Sequence, residues 1–284
     1  MDISADLGHD AAEFILHLLI ANGIGVDQFR TQFVVQSHNL LFLLDYYERY
    51  KEDALRMLRA AYFASKLGFS IESETLLAMR KCSYLVQNLS LDRITWELEK
   101  LISSKYQEKG IGYLIETNIA PYLGHFKNAI YLYREKKFKC ISWPLFVAIS
   151  YFDNLDDLSL LHLKNNLNNQ IKSAILLAKR LKKNNFDRID LFDEGEGICL
   201  LANDINLLLF GSKDKSCYIK KEYKLLPIHG MSELMINGND ILDNVIINDK
   251  RDISIILKDI KRLVLLEKLD NDKECILKYI KKHY

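Results

Sequence analysis

The sequence has few of the residues that interrupt helices, with three prolines and twelve glycines in 284 residues. Between them run long segments rich in leucine and isoleucine that carry lysine, glutamate and aspartate at intervals. Hydrophobic residues make up 49% of the chain and charged residues 27%, as in ordinary globular proteins. Because proline and glycine are scarce and apolar residues recur at helical spacing, the sequence predicts an all-α chain.

Patterned cysteines and long apolar runs are also missing. The five cysteines are odd in number and widely spaced, and none forms a C-x-x-C pair. This spacing disfavours a disulfide framework or a zinc site and predicts a reduced, cytoplasmic compartment. The first ten residues are acidic where a signal peptide needs a basic region. The apolar run at residues 14–21 is shorter than the roughly 20 residues that span a bilayer, so no membrane association is predicted.

Neither sign of charge dominates, since the formal net charge is +1. Basic residues nevertheless cluster at residues 133–139 (YREKKFK), 179–188 (KRLKKNNFDR) and 220–224 (KKEYK). Such clusters are either solvated helix faces or surfaces that contact phosphate groups. On the second interpretation, the candidate RNA-binding side chains are Lys136, Lys137, Lys139, Lys179, Arg180, Lys182 and Lys183.

No catalytic pattern is evident in the first 47 residues, which contain no glycine-rich phosphate loop and no carboxylates at metal spacing. We therefore predict no catalytic residue and no metal site on this chain. One competing pattern is the acidic segment FDNLDD at residues 152–157, with NDIN at residues 203–206. These segments resemble the Mg²⁺-binding motifs of class I terpene synthases. The second one departs from that pattern, because Leu207 and Phe210 replace its hydroxyl and its final acid.

The most regular helical pattern lies at residues 48–69 (ERYKEDALRMLRAAYFASKLGF). Gly68 is placed to end this helix, and Ser70 to cap the next one. The spacing predicts a buried stripe at Leu55, Leu58, Ala61, Tyr62 and Ser65. The charged residues Glu52, Asp53, Arg56 and Arg59 stay off that stripe.

Further helices are predicted after Ser90, at about residues 112–119, at about residues 252–269, and after a cap at Asn271. In the helix after Ser90, the spacing directs Ile94, Leu98, Leu101 and Ile102 toward the core. Arg93 and Glu97 lie four residues apart and are predicted on another face.

Residues 51–60 (KEDALRMLRA), with the following FA and LGF, resemble the E-D-x-x-R helix of class II CCA-adding enzymes and bacterial poly(A) polymerases. Residues 71–75 (IESET) and 90–98 (SLDRITWEL) follow in the order and spacing of that family. The resemblance implies an elongated helical neck, body and tail. It divides the chain into a helical leader outside the match (1–47), a neck (48–110), an RNA-binding body (111–224) and a tRNA-binding tail (225–284).

The resemblance also implies a nucleotide site. In the family, the Asp and Arg of the motif form an amino-acid template that reads the base of CTP or ATP. Asp53 and Arg56 would take this role, and their i,i+3 spacing places both on one helix face. An Asp accepts from an exocyclic amino group, and an Arg donates to ring acceptors. The implied nucleotide-binding set is Glu52, Asp53, Arg56, Arg59, Arg93 and Glu97, with the last two bracing the template.

The segment 226–242 and the closing residues 269–276 are similar to the tail that approaches the tRNA elbow in this family, which favours tRNA as the partner. Three features depart from the family. Tyr62 stands where a basic residue is common, residues 248–252 (NDKRD) replace a Gly-Pro-rich turn, and the motifs of the catalytic head have no counterpart. The expectation is therefore a tRNA-binding portion of a tRNA nucleotidyltransferase that needs a separate head polypeptide, and Mg²⁺ with it, to polymerise. A non-catalytic RNA-binding or scaffold protein, a truncated gene product and a poly(A) polymerase fragment remain alternatives.

Overall fold

A computed structural model describes residues 47–136, 140–183, 185–244 and 250–284. The predicted leader helix and the basic residues Lys137 and Lys139 lie outside these ranges. All regular structure in the described residues is α-helix or 3₁₀ helix, and this confirms the all-α prediction. The chain divides into two compact units, one ending at Asn169 and one running from Gln170 to Tyr284. The predicted boundaries after residues 110 and 224 stay predictions.

In its described part, the first unit contains a helical segment at residues 47–52 and six further α-helices, and a seventh, α7 (Asn165–Arg180), contains the boundary. The six are α1 (Leu55–Leu67), α2 (Ser73–Cys82), α3 (Leu91–Ile102), α4 (Gln107–Glu116), α5 (Phe126–Lys136) and α6 (Trp143–Ser150). Short 3₁₀ helices at Ser83–Asn88, Ala120–Tyr122 and Leu155–Leu160 join them.

Helix α1 is the centre of this unit, because it packs against both α3 and α4. Its buried surface is wider than the predicted stripe and consists of Met57, Leu58, Ala60, Ala61, Phe63, Ala64 and Ser65. Leu55 and Tyr62, which were predicted on the stripe, are only half-buried. A helix covered on two sides buries positions around most of its circumference, so the single-stripe prediction was too narrow.

Two contacts fix how α1 ends and how closely α4 approaches it. Gly68 ends α1 as predicted, with a left-handed φ of 74° and its amide donating to the Ala64 carbonyl. Gly110 of α4 lies against α1. A Cβ atom at Gly110 would lie 2.8 Å from the Ala61 carbonyl oxygen, so only glycine fits there.

Several predicted helix boundaries were wrong by a few residues. Glu72, rather than the predicted cap Ser70, directly precedes α2, and α4 begins at Gln107, five residues before its predicted start. The last helix is capped by Asp272, whose carboxylate accepts from the Cys275 amide. The predicted cap, Asn271, instead uses its side chain to bond the Met235 amide and the Glu233 carbonyl. By contrast, α3 begins directly after Ser90, as predicted.

The second unit is built on helix α8 (Arg188–Phe210), which is interrupted at Gly195 by a φ of 80° and a ψ of 165°. The other helices are α9 (Ser216–Lys224), α10 (Gly238–Leu242), α11 (Lys250–Leu265) and α12 (Lys273–His283), with a 3₁₀ turn at Met231–Glu233. Arg188 of α8 pairs with Glu222 of α9 at 3.1 Å and with Glu267, two residues after the end of α11, at 2.8 Å. In the described part of the chain, no helix combines the length and the apolar character needed to cross a bilayer.

Candidate functional site

Asp53 lies at a break between two helical segments. Residues 47–52 are helical, Asp53 itself is not, and α1 begins at Leu55. The Asp53 amide donates to the Arg49 carbonyl at 3.1 Å, and its carboxylate oxygen Oδ1 accepts from the Leu55 amide at 3.1 Å. The uninterrupted helix predicted for residues 48–69 is therefore wrong at this point. The Arg56 amide still donates to the Asp53 carbonyl at 3.2 Å, so one tight turn connects the two predicted template residues.

The Asp53 carboxylate is held by Arg93 of α3. One terminal guanidinium nitrogen of Arg93 lies 3.0 Å from Oδ1 and 3.1 Å from Oδ2 of Asp53. Each carboxylate oxygen can accept about two hydrogen bonds. Among the described residues, Oδ1 accepts from Leu55 and from Arg93, whereas Oδ2 accepts from Arg93 alone. The geometry thus leaves Oδ2 as the oxygen with capacity for a further donor.

Glu97 lies on the buried side of α3 and Arg93 is exposed, although their four-residue spacing predicted that both lie on one face of the helix. The Glu97 side chain is buried, and Oε1 accepts from the Lys100 ammonium at 2.9 Å. Oε2 has no hydrogen-bond partner among the described residues. The buried residues of α3 include Ile94, Thr95, Leu98, Leu101 and Ile102. These positions form an arc wide enough to include Glu97, while Arg93 remains exposed at its edge.

The remaining members of the predicted nucleotide-binding set lie close to Asp53 in the sequence. Glu52 is exposed, and Arg56 and Arg59 are half-buried on α1. The structure thus brings Asp53 and Arg93 together directly, and it places Glu97 on the inner side of α3 with Lys100 as its partner. The nucleotide-binding role of the set stays a prediction.

Sequence reasoning gave no role to Trp96, although this side chain is exposed in the middle of α3. The ammonium of Lys100 lies 5.3 Å from the centre of its ring system. A signal was available in the sequence, because positions three and four residues from Trp96 on both sides are all charged. An aromatic residue with charged neighbours at those positions is not on a buried helix face.

The predicted RNA-binding residues differ in the ion pairs that they form and in their exposure. Arg180 forms a 2.6 Å ion pair with Asp190, whose carboxylate is 5% exposed. Lys136 lies 3.5 Å from the exposed Glu135. Lys182 and Lys183 are exposed, and the ion pairs formed within the described residues include neither of them. Lys179 is half-buried near the end of α7. Arg180 is therefore partly structural, whereas Lys182 and Lys183 are exposed cations without an ion pair among the described residues.

The acidic segments of the competing motif are engaged in local contacts. Asp157 lies 2.8 Å from the His125 ring nitrogen Nε2. In the second segment, the Asn203 amide nitrogen donates to Asp204 at 3.2 Å and to Asp214 at 3.0 Å. Within the described ranges, no group of three or more His, Cys, Asp or Glu side chains is arranged to hold a metal ion.

Two family profiles match this chain. Residues 145–280 match the profile described as tRNA nucleotidyltransferase domain 2, and residues 68–126 match the profile described as an RNA- and SrmB-binding site of polymerase A. The second match includes α3 and its Arg93.

The first curated relatives are CCA-adding enzymes. A CCA-adding enzyme of Bacillus cytotoxicus is 28% identical over 94% of this chain and 71% of its own length. A CCA-adding enzyme of Listeria innocua is 30% identical over 90% of this chain and 67% of its own length. The chain spans 60–71% of the length of the first curated relatives. Residues 48–284 are about 83% of the chain, so a match over 94% of it extends into the leader.

Solved structures share the fold at lower sequence identity. A Bacillus stearothermophilus CCA-adding enzyme in complex with CTP superposes with a TM-score of 0.69 at 23% identity, covering 84% of this chain and 63% of that one. A Thermotoga maritima CCA-adding enzyme complexed with tRNA gives a TM-score of 0.55 at 19% identity, covering 82% and 62%. At these identities, the superpositions establish the arrangement of helices.

Proposed function

The chain belongs to the family of CCA-adding enzymes, and on that premise we propose that it is the tRNA-binding portion of a tRNA nucleotidyltransferase, with an amino-acid template for CTP and ATP. In this proposal, the carboxylates that hold the two metal ions for polymerisation are supplied outside these 284 residues. A separate head polypeptide would bring them together with Mg²⁺.

The observation that carries the template is the contact between Asp53 and Arg93. A carboxylate that reads a base must be held in one orientation, because the discrimination comes from the positions of donors and acceptors. Arg93 and the Leu55 amide together fix the Asp53 carboxylate, and its Oδ2 atom retains one accepting position. We assign to Oδ2 the acceptance of the exocyclic amino group that cytosine and adenine share. Arg56, one tight turn along the chain, would donate to a ring acceptor of the same base.

Binding of tRNA is supported by accessible cations, by the match to a tRNA nucleotidyltransferase profile and by a similar enzyme that was solved with tRNA. Lys182 and Lys183 are exposed in the second unit, where either ammonium can meet a phosphate group. The Thermotoga maritima enzyme was solved in complex with tRNA, and it shares the helical fold. We extend that partner to this chain as part of the proposal.

The cytoplasmic location is also a proposal. All five cysteines are free thiols, and Cys82 and Cys199 are buried within the two units. Burial raises the pKa of the Cys199 thiol to about 12, which keeps it protonated and unreactive at neutral pH. Free thiols throughout a chain are typical of a reducing compartment, where tRNA maturation takes place.

The experiment that tests this proposal measures tRNA and nucleotide binding separately. Fluorescence anisotropy of a labelled tRNA that lacks its terminal CCA gives the tRNA affinity at several salt concentrations. Calorimetry with CTP, ATP, GTP and UTP in the presence of that tRNA gives base selectivity. We expect salt-sensitive tRNA binding and a preference for CTP and ATP that Asp53→Ala and Arg56→Ala each abolish without weakening tRNA binding.

Two results would count against parts of the proposal. Binding of tRNA by the wild type with no nucleotide preference, or a preference that both variants retain, would favour the non-catalytic RNA-binding or scaffold alternative. Failure to bind tRNA at low salt would refute the proposed function itself.

A further inference from the structure

The two tryptophans of the chain lie in opposite environments. Trp143 is 6% exposed and packs against Phe126 and Phe146 in the first unit. Trp96 is 70% exposed in the middle of α3. A tryptophan in water leaves a large apolar surface unburied, and this residue type is enriched where proteins bind partners.

Lys100 adjoins the exposed ring, and it connects Trp96 to a second ring, Tyr62, which has Lys66 beside it. The Lys100 ammonium lies 5.3 Å from the centre of Trp96 and 5.8 Å from the centre of Tyr62. Lys66 lies 5.7 Å from the same Tyr62 ring. Cations at these distances from aromatic rings attract them, and Lys100 is further held by Glu97. We call Trp96, Lys100, Tyr62 and Lys66 the aromatic platform.

The aromatic platform lies next to the Asp53–Arg93 pair, because Arg93 and Trp96 are neighbours on α3. Trp96 follows Arg93 by three residues on α3, and residues at this spacing are neighbours on a helix surface. Arg93 thus contacts the predicted base-reading carboxylate and also precedes the exposed ring by less than one turn. A base stacked on Trp96 would lie next to the site proposed for the incoming nucleotide.

The surroundings of Trp96 favour a nucleotide over an apolar protein surface. Its helix neighbours at three and four residues are Asp92, Arg93, Glu99 and Lys100, all charged. An apolar partner would have to desolvate these groups, whereas a nucleobase needs only the face of the ring. Of the two acidic neighbours, Asp92 has a partner of its own, because its carboxylate lies 2.8 Å from the His162 ring nitrogen Nδ1. Among the described residues, Lys66 forms no ion pair, so it is available to a phosphate.

We propose that the face of Trp96 stacks on an unpaired base at the 3′ end of tRNA, with Lys66 and Lys100 facing the adjoining phosphates. This inference rests on the proposed function and adds to it the group that positions the end of the RNA. Stacking of a base on an aromatic ring tolerates any base, so the platform orients the end without selecting its sequence.

Tryptophan fluorescence tests the inference directly, because a stacked base quenches tryptophan emission and Trp143 is shielded from solvent. The wild-type chain is titrated with tRNA whose 3′ nucleotides are unpaired, and with the same tRNA whose 3′ end is paired to a short complementary strand. Affinities are measured in parallel by anisotropy for Trp96→Leu, Trp96→Phe and the control Tyr84→Leu. Tyr84 is also exposed in the first unit, at 47%, and it lies outside the platform.

We expect the unpaired 3′ end to quench the wild-type emission and the paired end to leave it unchanged. Trp96→Leu should weaken binding of the unpaired tRNA by about 5- to 100-fold, which corresponds to the loss of one stacked base. Trp96→Phe should lose less, and Tyr84→Leu should bind like the wild type.

Several results would overturn the inference. These are unquenched emission while tRNA is bound, equal quenching by both RNA ends, and quenching by free CTP or ATP at the same nucleotide concentration. Unchanged affinity of a folded Trp96→Leu variant would do the same. In each case the tRNA still binds, so the proposed function stands. Absence of any tRNA binding by the wild type would refute both.

Discussion

Arg93 donates from a single terminal nitrogen to both carboxylate oxygens of Asp53, across forty residues of sequence. The two side chains remain partly exposed, at 48% for Arg93 and 31% for Asp53. An ion pair in such a position contributes about 0–1 kcal/mol to stability. Its larger effect is geometric, because it fixes the direction in which Asp53 presents its remaining acceptor.

The first prediction separates these two effects. Arg93→Ala should lower the free energy of unfolding by less than about 1 kcal/mol, since the pair is solvent-screened. The same variant should weaken CTP binding by about tenfold or more, because Asp53 loses the group that orients it. Denaturant titration and calorimetry check the two quantities. A loss of stability with unchanged CTP affinity would contradict the positioning role, and Arg80→Ala on α2 is a control for removing an exposed arginine.

The second prediction concerns the contact between α1 and α4, which supports the template segment. Gly110→Ala would place a Cβ atom 2.8 Å from the Ala61 carbonyl oxygen and 2.9 Å from Leu101 Cγ, so we expect a loss of about 1–3 kcal/mol in unfolding free energy. Gly112 lies on the same helix with nothing within 4 Å of its Cβ position. Gly112→Ala should therefore raise stability by up to about 1 kcal/mol through helix propensity. If chemical denaturation gave the same change in unfolding free energy for Gly110→Ala and Gly112→Ala, that result would contradict this packing.

Much of the first unit could be predicted because its helices carry strong periodic signals and recognisable ends. Gly68 ended α1 as expected, and Ser90 preceded α3 as expected. The burial of Glu97 could not be predicted, since an isolated helix pattern does not show how wide an arc its neighbours cover. The break at Asp53 was hidden for a related reason. The preceding Glu52 and the following Ala54 are compatible with a continuous helix, and the interruption is stabilised by Asp53 contacts made with Leu55 and with Arg93 of a distant helix.

The third prediction distinguishes cations within the same basic cluster. Arg180→Ala leaves the buried Asp190 carboxylate with one fewer partner, so the free energy of unfolding should fall by about 1–3 kcal/mol. Lys183→Ala removes an exposed charge and should change stability by less than about 0.5 kcal/mol. Lys183→Ala should also lower the slope of the logarithm of tRNA affinity against the logarithm of salt concentration. The expected change is roughly that of one lost phosphate contact. An unchanged salt dependence would exclude Lys183 from the RNA interface.

The fourth prediction follows from Asp204 on α8. Burial raises the pKa of this carboxyl above its ordinary value, while a hydrogen bond from Asn203 and the charge of Lys220 oppose the shift. A raised pKa means that the folded state holds the proton more tightly, so the charged form costs stability at neutral pH. Asp204→Asn should therefore unfold at a higher denaturant concentration than the wild type at pH 7. This difference should shrink as the pH falls through the folded pKa and be lost below the ordinary value. A difference that grew toward acidic pH would contradict the assignment.

The boundary between the leader at residues 1–47 and the neck stays a prediction. The motifs that carry the resemblance begin with the E-D-x-x-R region at residues 51–60. The match to the Bacillus cytotoxicus enzyme covers 94% of the chain, so it includes residues on both sides of that boundary.

The central proposal is that these residues bind tRNA and present a nucleotide template but do not polymerise by themselves. The most direct test incubates the pure chain with a labelled tRNA that lacks its CCA end, together with CTP, ATP and Mg²⁺. Binding by anisotropy and 3′ extension by gel are read from the same samples. We expect bound tRNA with no added nucleotide. Extension by the chain alone would contradict the proposal, because it would mean that metal-binding carboxylates lie within these 284 residues.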